Sequence, residues 1–540
     1  MDWAATVGAL VHRRAGDDST GLVTHERSWT WAEHTAQAAA RAAWYAEDRR
    51  ARGADGPPHV GVLMENVPEF SFWLAAAAVG RFVLVGLNPL RAGDALARDV
   101  RSTACDLVLA DAASLPRFRG LDLGGARVLD PSTVGYPAAD LPADDAQASD
   151  LYLLIFTSGT TGDPKAVKCS QGKIALSGQG VMWRVELTAD DVTYLSMPMF
   201  HSNAVIAGWT PTLAVGATLA LRPRFSASQF LPDVRRFGAT YANYVGTPLS
   251  YVLAQPEQDD DADNPLRRLF GNEAAPADIE RFAQRFGCQV QDGFGSTEGG
   301  ISISRTPETP PGSLGMPNGD VRVLDPDTGE ERPRARFDES GRLLNADDAV
   351  GELVGVDGPG LFEGYWDADE ENARRLRDGQ YWSGDLGYRD EAGFLYFAGR
   401  GGDRLRVGGE NFTAAPIARL LGRHPDVVEV AVYAVPDSVA GDQVMATVVP
   451  GKGLDPAGLL EWAAQEPDAV PVQLPRFVRV TSDLPRTATG KLVVRALAQQ
   501  RWDGDGVWVR DGDGLRLRPM TDGDRTALAR AFEGSGRVLV

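Results

Sequence analysis

The chain has 540 residues, too many for one compact core, so two or more domains are expected. Hydrophobic residues make up 43% and the formal net charge is −20, which suits a globular protein and argues against both a disordered chain and general nucleic-acid binding, since phosphate backbones need basic surfaces. The three cysteines, Cys105, Cys169 and Cys288, match no zinc-site spacing and no CxxC pair, and are expected to be buried free thiols in a reducing, cytoplasmic setting.

The opening MDWAATVGALVHRRAGDD lacks a basic start followed by an apolar core, so no signal peptide is expected. HVGVLMEN (His59–Asn66) predicts a strand, PEFSFWLAAAAVG a helix, FVLVGLN a strand, AGDALARDVRSTAC a helix and DLVLAD a strand. This alternation implies parallel sheets in an α/β fold. The longest apolar stretch, Phe72–Leu87, is interrupted by Arg81 and too short to span a bilayer. It reads as a buried helix followed by a buried strand and leaves room only for peripheral membrane contact.

The apolar run LYLLIF leads into FTSGTTGDPKAVK, Phe156 to Lys168. Gly159 and Gly162 permit backbone angles that other residues avoid, Thr157, Ser158, Thr160 and Thr161 offer hydroxyls, and Lys165 adds a positive charge. That composition suits an anion, above all a phosphate. The spacing is not G-x-x-x-x-G-K-[ST], so the segment is either a different phosphate-binding loop or a surface turn. ATLALR, SASQFLPDVRRFG and ATYANYVG then repeat the strand–helix–strand pattern. In VQDGFGSTEGG a strand is expected to end near Val290, followed by an aromatic, glycines, Thr297 and Glu298. Ligands of parallel sheets sit at the carboxyl ends of strands, and Glu298 is a hard oxygen ligand suited to Mg²⁺; the plainer alternative is a tight turn with one exposed carboxylate. After about residue 310 the chain changes to short strands joined by Gly/Asp turns (GDVRVLDPDTGE, GELVGVDGPG, AGFLYFAGR), the pattern of an antiparallel sheet or barrel. Asp385 could bind two ribose hydroxyls and Arg400 could face phosphate, with a structural salt bridge the competing reading for each. Lys491, in LPRTATGKLVVRAL, stands between a glycine turn and a helix-like run, where a lysine is usually solvated. The tail GDGVWVRDGDGLRLRPMTDGDRTALARAF predicts a hairpin and a final helix.

Taken in order, TSGTTGDPK, MPMFH, GFGSTEG, YWSGDLG, GRGGDRLRVGGEN and LPRTATGK resemble the signature motifs of the adenylate-forming (ANL) superfamily. That superfamily holds acyl- and aryl-CoA synthetases, adenylation domains of peptide synthetases, and firefly luciferase. GNEAAPADIERFAQRFG, the R-x-G-D…G-E-N segment and the tail beyond Lys491 resemble the fatty acid transport protein branch and the actinobacterial long-chain fatty-acid–CoA ligases. The resemblance implies a large N-terminal domain of doubly wound sheets with a β-barrel-like subdomain (residues 1–399), a hinge (400–403), and a small mobile α+β C-terminal domain (404–540).

The activity it implies uses ATP, Mg²⁺ and CoA in two half-reactions. A carboxylate attacks the α-phosphate of ATP, giving acyl-adenylate and pyrophosphate; the CoA thiol then attacks the acyl carbon and AMP leaves. Carried over by motif, Thr157, Ser158, Gly159, Thr160, Thr161, Gly162 and Lys165 hold the β- and γ-phosphates, and Thr157 and Glu298 bind Mg²⁺. Gly271, Asn272 and Glu273, with Asp292, Gly293, Phe294 and Gly295, frame the adenine, and Thr297 falls in the same nucleotide motif. Asp385 holds the ribose with Arg400 close by, and Lys491 bridges the carboxylate and α-phosphate. Gly408, Gly409 and Glu410 reach the pantetheine channel. Many members carry Asp or Lys two residues beyond the Arg, where this chain has Gly402.

His201 gates the acyl pocket in relatives, against the plain reading of a packed side chain. Trp209, Tyr244, Gly246, Thr247 and Tyr251 are expected to line or abut that pocket, and Gly208 and Gly246 to leave it room. Amino-acid activators place an Asp near the segment equivalent to Phe200–Asn203; this chain has none there, so an uncharged, medium- to long-chain fatty acid is favoured. The partners implied are small molecules, with a homodimer or a separate carrier protein as acceptor also compatible. A non-catalytic nucleotide- or acyl-binding homologue is the remaining alternative, and the intact Lys165, Glu298, Asp385, Arg400 and Lys491 speak against it.

Overall fold

A computed structural model describes residues 3–157, 164–245, 248–272, 274, 276–306, 308–339, 343–400, 404–407, 410–437, 442–466, 469–486, 492–510 and 514–535. The chain forms two compact units: residues 1–305 with 359–377, and residues 306–358 with 378–487 and 491–540.

After a short helix at Val7–His12, the first unit runs through β1 (Thr20–Val23) and β2 (Ser28–Thr30) and enters helix α1 (Trp31–Arg52). Thr30 and Glu33 close a capping box over its first turn, and Gly53, at φ 62°, ends it in the left-handed conformation. A sheet follows, made of β3 (His59–Leu63), β4 (Val83–Gly86), β5 (Leu107–Ala110), β6 (Arg127–Leu129), β7 (Leu151–Thr157) and β8 (Lys165–Ser170), in the order β6-β5-β3-β4-β7-β8. All pairs are parallel except β7–β8. β3, β4 and β5 are buried throughout and, apart from His59, apolar, as strands covered on both faces are. Helix α2 (Pro68–Gly80) is buried all the way round from Phe70 to Val79, and Arg81, at φ 53°, turns the chain directly into β4. The long apolar stretch is thus the buried helix and buried strand expected. Among the described residues no helix is long and apolar enough to cross a membrane.

Ser170 caps α3 (Gln171–Arg184), and the chain then returns to the first sheet. It adds β9 (Val192–Leu195), β10 (Thr218–Leu221), β11 (Tyr241–Val245), β12 (Arg268–Asn272), β13 (Gln289–Gly295) and β14 (Ser302–Ser304). The order is β14-β13-β12-β11-β9-β10-β1-β2, parallel except at β14 and β2. β13 runs past its expected end near Val290. Asp292 and Gly293 pair with Gly271 and Asn272 on one side, and Gly293–Gly295 pair with Ser302–Ser304 on the other, so D-G-F-G is strand rather than turn. Pairing on both sides holds Gly293 extended, and pairing with Ser302 holds Gly295. Helix α4 (Asp369–Arg375) completes the unit.

In the second unit β15 (Val321–Leu324), β16 (Gly351–Gly355), β17 (Gln380–Arg389) and β18 (Leu395–Arg400) form an antiparallel half-barrel. β19 (Arg404–Val407) and β20 (Glu410–Thr413) make a hairpin. A further sheet runs β21 (Val427–Pro436), β22 (Asp442–Pro450), β23 (Phe477–Val480), β24 (Val507–Arg510) and β25 (Leu517–Pro519), and helix α5 (Asp522–Ser535) follows. The tail is the hairpin and helix expected. All three cysteines are buried and free; burial pushes the thiols up, to about 12 for Cys105 and Cys288 and about 11 for Cys169.

Candidate active site

Strand β7 ends on Thr157, and β8 begins on its cross-strand partner Lys165. Thr157 Oγ1 donates to Glu298 Oε1 at 3.3 Å, and Tyr365 Oη donates to the same oxygen at 3.0 Å. Glu298 itself is buried. Burial and the neighbouring Glu298 carboxylate raise the Tyr365 pKa, which keeps its hydroxyl a donor. From below, the buried Lys173 on α3 donates through Nζ to the Glu298 backbone carbonyl at 3.0 Å. Gly299, at φ +74°, makes the turn that follows. Lys165 Nζ is ion-paired with Glu371 on α4 and lies 5.6 Å from the centroid of the Tyr365 ring. The hydrogen bond from Lys165 holds the Glu371 carboxyl below its ordinary range.

The ends of β12 and β13 carry Gly271, Asn272 and Asp292–Gly295, the described residues expected to frame the adenine, with Tyr244 on β11 beside them. A Cβ on Gly271 would stand 2.3 Å from the Tyr244 carbonyl oxygen, so only glycine fits there. Asp292 Oδ2 accepts from Tyr244 Oη at 2.9 Å and from the Ala274 N–H at 3.3 Å. Asn272 Oδ1 lies 3.4 Å from Asn203 Nδ2, and Asn203 also donates to the Tyr244 carbonyl at 3.0 Å. Ser202 and Thr297 share a hydroxyl–hydroxyl bond of 2.7 Å. Phe294 is half-buried and Gly295 is exposed with open space above it. His201 packs its ring against Phe200 at 4.2 Å and leads into a π-helical turn, Ala204–Trp209, the kind of irregularity that recurs at functional sites.

Within the first unit, then, Thr157, Glu298 and Lys165 come together around Tyr365, while Thr297, Asn272, Gly271 and Asp292 line neighbouring strand ends. Within the second unit, Asp385 on β17 and Arg400 on β18 are cross-strand partners, brought side by side by the hairpin, and Asp385 N–H donates to Ser383 Oγ at 3.1 Å. Glu410 opens β20, opposite Val407. Ser158, Gly159, Thr160, Thr161, Gly162, Gly246, Thr247, Glu273, Gly408, Gly409 and Lys491, with the hinge residues 401–403, lie outside the described residues.

The expectation that Gly208 leaves room for a chain is not met. A Cβ there would stand 2.6 Å from Leu195 and 3.1 Å from Asn243 Oδ1, so the glycine permits close packing rather than a pocket. Trp209 is wholly buried and donates to Ser71 Oγ at 2.8 Å, which makes it core. Tyr365, Glu371 and Lys173 are not legible as site residues: each reaches the site through a contact distant in sequence, and no spacing rule links them to Thr157 or Glu298.

Thr157 Oγ1 and Glu298 Oε1 are hard oxygen donors in contact, and among the described residues no cluster of three or more acidic, His or Cys ligands exists. This fits Mg²⁺, which is commonly held by one or two carboxylates, water and substrate phosphates. A carboxylate–hydroxyl pair at the strand ends, next in sequence to the Ser/Thr/Gly-rich run 158–162, is the donor set of a site for Mg²⁺ and a phosphate-bearing ligand. The chain belongs to the AMP-binding enzyme family, whose model matches residues 11–366, with the AMP-binding enzyme C-terminal domain matched over 417–491. It is an AMP-forming acid–thiol ligase, a class that works through acyl-AMP with ATP, Mg²⁺ and CoA.

Over 516 residues the chain is 50% identical to the medium/long-chain-fatty-acid–CoA ligase FadD17 of Mycobacterium marinum, covering 94% of this chain and 99% of that one. It is 46% identical over 549 residues to the steroid-22-oyl-CoA synthetase of Rhodococcus jostii, covering 98% of each. ATP-bound MatB from Rhodopseudomonas palustris shares the fold with a TM-score of 0.78 at 25% identity, covering 92% of this chain and 99% of that one.

Proposed function

We propose that the acid this ligase activates is a medium- to long-chain fatty acid, joined to CoA in the cytoplasm. The observation that carries this is the 50% identity, over 94% of the chain, to a relative named for that substrate class. In this reading Lys165 and the loop at 158–162 grip the β- and γ-phosphates, and Glu371 cedes its ion pair with Lys165 as they arrive. Thr157 and Glu298 would hold Mg²⁺, which when bound neutralises phosphate charge. Tyr365 and Lys173 fix Glu298 from its carboxylate and its backbone side. Asp385 takes the ribose hydroxyls with Arg400 beside it. The acid oxygen forms a bond to the α-phosphorus, the bond to pyrophosphate breaks, and Lys491 holds the two reacting anions together; positioning and charge stabilisation are what such chemistry asks of a protein. The chain pivots at 400–403 so that Gly408–Glu410 face the pantetheine as sulfur displaces AMP.

The Rhodococcus relative, at 46% identity over almost the whole chain, favours a second reading in which the acid is a steroid carboxylate. The test is pyrophosphate release with Mg-ATP across fatty acids of graded length, aromatic acids and a steroid acid, with and without CoA. A CoA-dependent thioester with medium or long chains is expected. Thioester formation confined to the steroid acid would move the assignment to the second reading, and pyrophosphate without thioester would overturn CoA as acceptor.

A further inference from the structure

The face of the first sheet that packs against α3 turns polar toward the strand ends. Phe270 packs against the cluster that contains Val181, Met182 and Tyr241, which fixes the face; two-residue alternation puts Asn272 on the same side. Asn243 donates to Asn203 Oδ1 at 2.7 Å, and Asn203 reaches Asn272, so three amides form one network beside the strand ends. Arg184, the last residue of α3, stands over this face. Its Nη1 donates to Ser304 Oγ at 2.8 Å, and its guanidinium carbon lies 5.4 Å from the centroid of the Phe270 ring. The same Nη1 is 4.0 Å from where a Cβ on Gly293 would be, and nothing lies within 4 Å of the corresponding point on Gly295. The guanidinium therefore borders open space above the glycine strand that leads to Thr297 and Glu298.

Arg184 is half-buried, and among the described residues it forms no ion pair. Burial lowers its pKa, opposed only by the more distant attraction of Asp292. Its two neutral contacts hold the guanidinium in place without neutralising it. A methyl-ended chain laid over it would strip its remaining N–H groups of water and give nothing back, which is costly for a charged donor. A planar fork of donors instead matches an oxygen acceptor.

Asp292 and Phe294 alternate to the face opposite Gly293 and Gly295, which leaves the glycine face free of the adenine. We infer that the part of the acid remote from its reacting carboxylate lies over this glycine face, that Arg184 is a specificity-determining residue there, and that the acid bears at that end an oxygen acceptor: a ketone or a second carboxylate. The inference rests on the acid-activating reading above and narrows it.

The experiment compares three acids of equal chain length (a plain monocarboxylic acid, the corresponding oxo acid with its ketone near the far end, and the α,ω-dicarboxylic acid) by kcat/KM for pyrophosphate release. Wild type, Arg184→Met and Arg184→Lys are measured side by side. Wild type is expected to favour one of the oxygen-bearing acids over the plain acid by ~10-fold or more, since a site built around a polar contact rejects the analogue lacking it. Whichever acid is favoured identifies the acceptor. In Arg184→Met that ratio should collapse toward one through a raised KM for the oxygen-bearing acid, and Arg184→Lys should restore part of it. A wild-type enzyme that prefers the plain acid overturns the inference, as does an Arg184→Met variant that loses all three acids equally, the mark of a merely structural role. If Arg184→Met does not fold, the wild-type and Arg184→Lys ratios still decide. Release with none of these acids, nor with any in the wider panel, would instead remove the acid-activating reading on which the inference stands.

Discussion

At Glu298 one carboxylate oxygen receives two hydroxyl donors, while the buried ammonium of Lys173 is spent on the backbone carbonyl of the same residue. The arrangement holds the backbone and orients the carboxylate without pairing away its charge, which is what a metal-binding oxygen requires. Glu298→Gln keeps the shape and removes the charge. The expected result is a rise in the Mg²⁺ concentration needed for half-maximal pyrophosphate release and a rate loss of ~10²–10³, the scale for losing one preorganised electrostatic contact. The thermal midpoint should change little, and an unchanged Mg²⁺ requirement would detach Glu298 from the metal. The pair of Lys165 with Glu371 gives a pH dependence of known sign. The Glu371 pKa is depressed in the folded state by the hydrogen bond from Lys165, so its contribution is full above the ordinary glutamate range and is lost as pH falls through the lower, folded value. Urea denaturation of wild type and Glu371→Gln should therefore differ at neutral pH and converge in acid. Because both side chains are partly exposed, the difference at neutral pH is expected to be small.

Among the elements, α5 shows how a surface helix is fastened. Thr521 Oγ1 accepts from the Asp524 N–H at 3.2 Å while Asp524 Oδ2 accepts from the Thr521 N–H at 2.8 Å, a reciprocal cap. Arg518 grips both Asp524 oxygens at 2.7 and 2.8 Å, and Phe532 reaches Trp502 with ring centroids 6.0 Å apart. Removing the cap with Thr521→Ala should cost ~1 kcal/mol of local helix stability. Hydrogen exchange over 522–535 should then quicken while the sheets stay protected; uniform loss of protection would mean the helix is integral to the domain. The elements also separate what was legible in the sequence from what was not. Phe72–Leu87 gave its helix and strand because apolar runs and a single Arg break are local signals. The extension of β13 to Gly295 was hidden because glycines read as turn, and only pairing with Asn272 and Ser302, remote in sequence, makes them strand. For the same reason the motifs disclosed Thr157, Lys165 and Glu298, whereas Tyr365, Lys173 and Arg184, whose contacts join distant segments, needed the fold.

At the scale of the whole molecule, the proposed chemistry divides the work between two halves of one chain. Thr157, Lys165 and Glu298 belong to the family match over residues 11–366, and Lys491 closes the separate match over 417–491. If Lys491 acts only while carboxylate and α-phosphate are being joined, its loss must fall on one half-reaction. Lys491→Ala is expected to lower acyl-adenylate formation by ~10²–10³, as for other single electrostatic contacts to a developing charge. Thioester formation from supplied acyl-adenylate and CoA should stay within a few-fold of wild type. Single-turnover measurement of each step separates them: ATP and acid with pyrophosphate as readout for the first, acyl-adenylate and CoA with AMP as readout for the second. Equal loss in both would mean that Lys491 serves a conformation common to the two steps, and the proposed division of labour between the halves of the chain would fall with it.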